Sequence, residues 1–172
     1  MKYEVIDNFL DEEYFDTLFN LFTDKASQGC PVMSWYFQSD IEGKGERKLE
    51  KEDKLFYMIH VVYNENKPNS NIYETMIPLL EKLKAKCLIR IKANLYPHTE
   101  TLYEHQMHID YPFLHSGAIL SLNTCDGYTK LKDGTKIDSV ANRVLIFNSS
   151  EEHCSTTTTN VPARFNININ YI

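Results

Sequence analysis

The sequence predicts an α+β fold in which N-terminal helices support a C-terminal antiparallel β core of meander or jelly-roll type. Three observations carry this prediction. An apolar stripe at helical spacing lies near the N-terminus, and apolar and polar residues alternate with period 2 in two later segments. The second half also contains Asp-Gly pairs, which are typical of tight turns between strands. We therefore expect residues 1–86 to be mainly helical support with edge strands, and residues 87–172 to be a β-rich core.

The N-terminal part is predicted to begin with a strand at Tyr3 to Ile6 and to continue into an amphipathic helix. Asp11 is a suitable cap for this helix, whose first turn carries two glutamates. A second helix is predicted over 71–84, with Pro78 either kinking it or marking a restart. The segment 53–64 contains the apolar run FYMIHVVY, which predicts a strand. The stripe of the first helix predicts core packing and consists of Phe15, Leu18, Leu21 and Phe22.

Length and charge restrict the class of protein. A chain of 172 residues with a hydrophobic content of 42% fits one globular domain, 1–172, rather than a disordered chain. The formal charge of −6 disfavours a general nucleic-acid binder. Lysines near the end of the second helix suit its dipole, with nucleic-acid contact as the alternative. The charged stretch Gly43–Lys54 predicts a solvated loop, with a lid over a site as the alternative.

Two segments of the second half alternate strictly. In 89–96 the polar face carries Arg90, Lys92, Asn94 and Tyr96, and the run ends at Pro97. In 164–171 Arg164 and three asparagines alternate with apolar residues. We expect the polar face of the first segment to look into a barrel mouth. The apolar face of the second should pack against the helices and its polar face should look into a polar interior, with a solvent-facing amide ladder as the alternative. Tight turns are predicted at Asp126-Gly127 and Asp133-Gly134.

The chemistry-bearing pattern is His108-Ile109-Asp110 followed by His153. On a strand, His108 and Asp110 would point to the same face, and a remote His153 would complete a 2-His-1-carboxylate site of the kind that holds non-haem Fe(II). Composition alone gives about one His-x-acid match by chance, so the doublet gains meaning only from the later His153 and Arg164. The other histidines, including His105, are expected to be structural or exposed.

At these residues the chain resembles the 2-oxoglutarate/Fe(II)-dependent dioxygenases, particularly the small prolyl-4-hydroxylase-like branch with its bacterial and phage-encoded members. The resemblance covers nearly the whole chain. It rests on VIDNFLDEEY, ANLYPHTETLYEHQMHIDYP, ILSLNTCDGYT, RVLIFNSSEEH and ARFNININY. It implies a double-stranded β-helix, cupin-like in architecture. The interval from His153 to Arg164 is longer than in many members, and we expect a longer turn at TTTTN to absorb it.

The resemblance also implies roles for individual residues. His108, Asp110 and His153 fall on the iron ligands, and Arg164 falls on the cation that holds the distal carboxylate of 2-oxoglutarate, a suitable bidentate partner. Tyr96 and Ser121 fall on further positions that contact this co-substrate. The residues that could line the pocket beside them are Asn94, Asn123, Asn166, Asn168 and Tyr111.

The activity that the resemblance implies is hydroxylation of either a peptide, with a prolyl residue as one candidate target, or a small molecule. Iron chelates the 2-oxo acid end of the co-substrate, dioxygen is consumed, and succinate and CO2 are released, with ascorbate as a supporting reductant. Because Asp110 is present, the site resembles a hydroxylase rather than a halogenating relative. Two alternatives stay open: a cupin-like metalloprotein that does not use 2-oxoglutarate, and a jelly-roll binding module without catalysis.

Localisation is predicted from what the sequence lacks. The N-terminal stretch has no apolar signal core, and no run of about 18 apolar residues occurs, so no membrane partner is expected. The scattered cysteines, without a close pair, suggest free thiols in a reducing compartment. We therefore expect a cytoplasmic protein, or one in the host-cell cytoplasm if it is phage-encoded. The cysteines are Cys30, Cys87, Cys125 and Cys154.

Overall fold

The computed structural model describes residues 2–23, 33–39 and 55–172. The stretch Gly43–Lys54, predicted as a solvated loop with a lid as the alternative, and the thiol of Cys30 lie outside these residues. The described chain forms one eight-stranded and one three-stranded antiparallel sheet with two α-helices, which confirms the α+β prediction. The elements in chain order are β1 Tyr3–Ile6, α1 Glu12–Thr23, β2 Tyr36–Gln38, β3 Tyr57–Asn64, β4 Lys67–Pro68, a 3-10 helix Tyr73–Met76, α2 Ile77–Leu83, β5 Leu88–Pro97, β6 Ser116–Ser121, β7 Tyr128–Leu131, β8 Lys136–Asp138, β9 Arg143–Asn148, β10 His153–Ser155 and β11 Ala163–Tyr171.

The large sheet has the strand order β1-β9-β6-β11-β5-β3-β2, with β4 paired to β3. The small sheet has the order β10-β7-β8. Most neighbours in the large sheet are distant in sequence, and the long strands β5 and β11 lie side by side near its centre. Although β3 belongs to the first 86 residues, it is not an edge strand, because β2 and β5 both pair with it. Because β5 and β11 pair directly, their polar faces form one continuous surface.

The two helices cover one face of the large sheet. Asp11 caps α1 as predicted, since its Oδ1 accepts a hydrogen bond from the Tyr14 amide at 3.0 Å. Leu18 and Phe22 of α1 are buried against apolar residues of the sheet. The second predicted helix is shorter than expected and restarts: a 3-10 turn leads into α2, which tolerates Pro78 in its first turn because the N–H that proline lacks has no helical partner there.

The register of β5 against β11 explains the alternation seen in the sequence. Tyr96 pairs with Arg164, Asn94 with Asn166, and Lys92 with Asn168. These side chains share the face that looks toward the small sheet, while alternate residues form the core beneath the helices, as predicted. The buried apolar residues of this helical core that come from the two strands are Ile91, Ala93, Ile167, Ile169 and Tyr171.

The connection over 98–115, which carries the His-x-Asp motif, is not a strand, so that prediction is wrong. His108 makes an isolated antiparallel bridge to His153, and Asp110 lies in a bend. Pro112 has no amide to donate to a ladder, and the segment pairs with the β10 region only at separated points. His108 nevertheless lies beside His153 because this bridge fixes it, and the Asp110 amide donates to the Ser149 carbonyl at 3.1 Å, which brings Asp110 to the same place.

The threonine run after β10 forms the predicted turn only at its end, where Thr159 and Asn160 lie in the bend before β11. Thr156, Thr157 and Thr158 are fully buried and continue the line of β10. Their hydroxyls serve backbone groups that have no ladder partner: Thr156 Oγ1 accepts from the Tyr128 amide at 2.9 Å, and Thr157 Oγ1 from the Tyr103 amide at 3.0 Å. The run therefore holds the irregular connection onto the small sheet.

The two Asp-Gly pairs also differ from each other. Gly134 adopts φ +86 and closes the turn between β7 and β8, as predicted. Gly127 instead lies where the backbone approaches Arg164: a Cβ there would sit 2.7 Å from Arg164 Cδ and 2.8 Å from the Thr157 carbonyl oxygen. No described helix is long and apolar enough to cross a membrane; α1, with 12 residues, is the longest of them.

Candidate metal centre and adjoining cavity

The structure brings the three predicted ligands together. Ligand atoms of His108, Asp110 and His153 all lie within 4.8 Å of one another. His153 Nε2 is 3.9 Å from Asp110 Oδ2, and the two imidazole centroids are 4.6 Å apart. Reciprocal backbone hydrogen bonds of 2.9 Å between His108 and His153 fix the spacing of the two rings. Two imidazoles and one carboxylate at this spacing can hold a divalent metal and leave other coordination positions open.

Both imidazoles are oriented by backbone carbonyls. His108 Nδ1 lies 3.3 Å from the Gln106 oxygen, and His153 Nδ1 lies 3.0 Å from the Glu151 oxygen. A proton on each Nδ1 donates to its carbonyl and leaves the Nε2 lone pair for a metal. Burial lowers the pKa of both rings, and repulsion from His153 adds to the effect at His108, whose pKa falls to about 4. Both are therefore neutral, as ligation requires, at neutral pH.

The Asp110 carboxylate is held by four side chains, of which only Asn168 was predicted to be near the site. Arg90 Nη2 donates to Oδ1 at 2.7 Å, while Ser149 Oγ, Asn170 Nδ2 (2.9 Å) and Asn168 Nδ2 (3.3 Å) donate to Oδ2. Burial alone raises the pKa of Asp110, but the charge of Arg90 and the hydrogen bonds from Ser149 and Asn170 hold it well below its usual value. The ligand is thus ionised before any metal binds.

A small cavity adjoins the two histidines. Its volume is about 20 Å³, roughly the room that one water requires. Four predicted pocket or co-substrate residues, Tyr96, Asn94, Asn166 and Asn168, line it. Because the cavity is so small, a bound molecule larger than water must displace side chains. The residues that line the cavity are Tyr57, Lys92, Asn94, Tyr96, His108, Ile119, His153, Ser155, Asn166 and Asn168.

Arg164 is a buried cation, 1% exposed. Its Nη1 donates to the Thr156 carbonyl at 3.2 Å and its Nη2 to Thr129 Oγ1 at 3.1 Å, but Nε has no partner. Among residues 2–23, 33–39 and 55–172, no carboxylate forms an ion pair with it. A buried guanidinium with neutral partners and an unused N–H suits an anionic ligand.

Tyr96 separates Arg164 from the cavity. The guanidinium lies 5.5 Å from the centroid of the Tyr96 ring, and the Tyr57 ring stacks on Tyr96 at 5.4 Å between centroids, with 13° between the planes. Burial raises the pKa of Tyr96, so its hydroxyl stays protonated and can donate. The Tyr96 ring thus lies between the cavity beside the candidate metal centre and the buried guanidinium of Arg164.

Besides Asp110 and Arg164, three predicted site residues lie outside the cavity wall, namely Ser121, Asn123 and Tyr111. Ser121 is buried opposite Asn166 in the sheet but does not line the cavity. Asn123 hydrogen-bonds to the backbone at the start of β11 through both amide atoms, at 2.9 and 2.8 Å, which is a structural role. The ring of Tyr111 faces Arg90, with 5.2 Å between the guanidinium and the ring centroid, so it shields the cation that holds Asp110.

Sequence reasoning missed the groups that support the predicted ligands. Arg90, Lys92 and Asn170 belong to alternating polar faces that the sequence does reveal, and this signal could have identified them. Ser149 sits in the turn after β9, and nothing in the sequence marks it. Tyr57 opens the apolar run of β3, where an aromatic residue is expected in a core.

His105 is structural, as predicted, and gives the fold a testable pH dependence. Its ring packs against Tyr96 at 5.3 Å, its Nε2 has no partner, and burial with repulsion from Arg164 lowers its pKa to about 4 from 6.5. In the unfolded chain His105 is protonated below about pH 6.5, whereas in the folded chain it stays neutral down to about pH 4. The free energy of unfolding therefore falls as the pH drops from about 6.5 to about 4.

We expect His105→Phe to reduce the loss of unfolding free energy between pH 7 and pH 5 by about 1–2 kcal/mol, because phenylalanine fills the same aromatic contact and does not titrate. Urea denaturation at the two pH values measures the effect. The exposed His98, changed to Phe, is the matched control. An acid-induced loss in His105→Phe equal to that of the wild type would contradict this role.

Comparison with known proteins gives a fold. No model of a protein family matches the sequence, and no curated protein matches it. Among solved structures, a Trichoplax adhaerens prolyl hydroxylase in complex with a hypoxia inducible factor peptide fragment superposes with a TM-score of 0.65 at 15% identity, over 99% of this chain and 83% of that one. A Pseudomonas putida prolyl-4-hydroxylase gives 0.58 at 14% identity, over 98% and 91%.

A third structure, HygX from Streptomyces hygroscopicus with nickel and 2-oxoglutarate bound, gives a TM-score of 0.59 at 10% identity, over 98% of this chain and 82% of that one. At such identities the likeness concerns the backbone architecture. It extends over 98% to 99% of this chain and over 82% to 91% of these three neighbours. The chain therefore has the double-stranded β-helix fold on which these prolyl hydroxylases and 2-oxoglutarate oxygenases are built, as the sequence resemblance implied.

Proposed function

We propose that the protein is an Fe(II)- and 2-oxoglutarate-dependent dioxygenase that hydroxylates either a peptide, with a prolyl residue as one candidate target, or a small molecule. The observation that carries this proposal is the convergence of His108, Asp110 and His153 on one side of Tyr96, with an unpaired buried Arg164 on the other. In a cupin-like protein without 2-oxoglutarate, or in a silent binding module, nothing would require an unpaired buried guanidinium beside an intact ligand set.

The residues present fit the metal and the co-substrate. Two neutral imidazoles and an ionised carboxylate suit Fe(II), although other divalent ions bind such donors too. Bound iron with 2-oxoglutarate and dioxygen supplies the oxidation, in which one oxygen atom enters the substrate C–H bond and the other enters succinate as CO2 leaves. The neighbours' bound peptide in one case and 2-oxoglutarate in another support the two ligand classes.

The chain's own residues have distinct tasks in this proposal. The Gln106 and Glu151 carbonyls orient the two imidazoles, and Arg90 keeps Asp110 ionised. Arg164 binds the distal carboxylate of the co-substrate, and the protonated hydroxyl of Tyr96 donates to the same ligand. Ser121, which lies on the same sheet face as Asn166, takes part only if ligand binding enlarges the cavity toward it.

The proposal predicts that the purified protein with Fe(II) and ascorbate converts 2-oxoglutarate to succinate. His108→Ala should lower this turnover by about 100-fold or more, since loss of a ligand removes the metal. The matched control is His98→Ala, because His98 is exposed and lies outside the cavity. Succinate formation that persists in His108→Ala, or that proceeds without added metal in the chelated protein, contradicts the proposal.

The substrate class is to be found by a mass-shift search. Peptide and metabolite pools are incubated with enzyme, Fe(II), 2-oxoglutarate and ascorbate, and products heavier by one oxygen atom are sought by mass spectrometry. A product from the peptide pool supports a peptidyl substrate, and one confined to the metabolite pool supports a small molecule. The same reaction with His108→Ala separates enzymatic oxidation from oxidation by free iron.

A further inference from the structure

Lys92 is the cation that lines the cavity next to the candidate metal centre. It stands near the middle of β5, opposite Asn168, and its side chain shares the cavity wall with His108 and His153. Its ammonium lies 5.7 Å from the centroid of the Tyr57 ring. Within the part of the chain that the structure describes, no carboxylate pairs with it and no oxygen accepts a hydrogen bond from it. A largely buried ammonium of this kind calls for an anion.

The other two cations of this face are already assigned. Arg90 is paired with Asp110 at 2.7 Å, and Arg164 lies behind the Tyr96 ring and does not line the cavity. Lys92 therefore has no anion left for it in the described structure. A divalent metal on the histidines would repel its ammonium, and an anionic group placed between the two removes that repulsion. The charge arrangement thus favours a ligand anion at the metal end of the cavity.

We propose that Lys92 binds the carboxylate adjacent to the 2-oxo group of the co-substrate, while Arg164 binds the distal carboxylate. This inference rests on the proposed function. Lys92 and Tyr96 are four residues apart on β5, roughly 13 Å along the strand, and Arg164 pairs with Tyr96. The two cations thus approach the site from opposite ends, with long side chains that can close on a small dicarboxylate. The 2-oxo acid end lies at the metal, which is the end where Lys92 stands.

The test compares two ligands on the protein loaded anaerobically with Mn(II). Pyruvate carries the 2-oxo acid but no second carboxylate, whereas 2-oxoglutarate carries both. By calorimetry, Lys92→Met should weaken both ligands by a similar factor, about 10-fold or more, because each loses the same charged hydrogen bond. Lys92→Arg, which keeps the charge, should restore much of the affinity for both. Lys132→Met, at an exposed lysine, is the matched control and should change neither.

Other outcomes overturn the inference. If Lys92→Met weakens 2-oxoglutarate but leaves pyruvate unchanged, Lys92 binds the distal carboxylate; if it weakens neither, Lys92 serves another ligand, such as an acidic substrate. Thermal denaturation of the metal-free variant verifies that it is folded, which we expect because methionine replaces a buried charge at similar length. If the wild-type Mn(II) protein binds neither ligand, the proposed function itself fails, and the role of Lys92 with it.

Discussion

Asp110→Ala should abolish metal binding and also lower the stability of the metal-free protein. Removing a carboxylate from a cluster of ligands often relieves repulsion, but here Asp110 is surrounded by donors. Its loss leaves the guanidinium of Arg90 and the amide of Asn170 without their acceptor in a buried setting. Because Arg90 keeps some contact with solvent, we expect a loss of about 2–4 kcal/mol in unfolding free energy.

Urea denaturation of the chelated protein measures this loss, and titration with Mn(II) measures the metal affinity. Asp7→Ala is the control, since Asp7 makes an ion pair with Arg143 at the surface, where solvent screens it, and its loss should cost much less stability than the loss of Asp110. A metal-free Asp110→Ala protein as stable as the wild type, or more stable, would show that the four donors do not organise the ligand before the metal arrives.

Arg164→Lys should raise the KM for 2-oxoglutarate by about 10- to 100-fold, with a smaller change in kcat. Lysine keeps the charge but not the planar fork that pairs with a carboxylate through two parallel hydrogen bonds. Gly127 leaves room for the aliphatic part of Arg164, so the shorter side chain does not clash. Affinity for pyruvate, which has no distal carboxylate, should stay within a few-fold of the wild-type value.

Steady-state succinate formation at varied 2-oxoglutarate concentration measures this effect. Arg143→Lys, at the surface pair with Asp7, is the matched control for the same chemical change and should leave KM unaltered. If Arg164→Lys had a wild-type KM while thermal denaturation showed it to be folded, Arg164 would be a purely structural cation, and the binding of the distal carboxylate would have to be reassigned.

Where the sequence pattern was regular, it predicted the structure well. The alternation of β11 placed Ile167 and Ile169 under the helices and Asn166 and Asn168 at the cavity, because side chains in a strand alternate strictly between two faces. The cap at Asp11 and the stripe of α1 were equally readable, since both depend on residues close in sequence. Local rules of this kind determine elements but not the connections between them.

The segment around the His-x-Asp motif could not be predicted in this way. The sequence suggested a strand, yet His108 and Asp110 are held by one bridge to His153 and by side chains from β5, β11 and the turn after β9. Their convergence results from tertiary packing, with the residue pattern supplying only the ligand types. The resemblance to a known family predicted the three ligands. The strand geometry that we expected to bring His108 and Asp110 to one face is not what holds them together.

The supporting residues were missed for a related physical reason. Arg90 and Lys92 stand two residues apart on the same face of β5, so the sequence shows two equivalent cations. Only the fold distinguishes them, because it brings Asp110 to Arg90 and leaves Lys92 at the cavity. Which cation is neutralised by the protein and which awaits a ligand is a property of the assembled site.

A crystal structure of the protein soaked anaerobically with Mn(II) and 2-oxoglutarate, with the metal located by anomalous scattering, would test the proposed site directly. We expect one metal bound by His108 Nε2, Asp110 and His153 Nε2, with 2-oxoglutarate on that metal and its distal carboxylate at Arg164. A metal bound elsewhere, or 2-oxoglutarate absent from an occupied metal centre at saturating concentration, would contradict it.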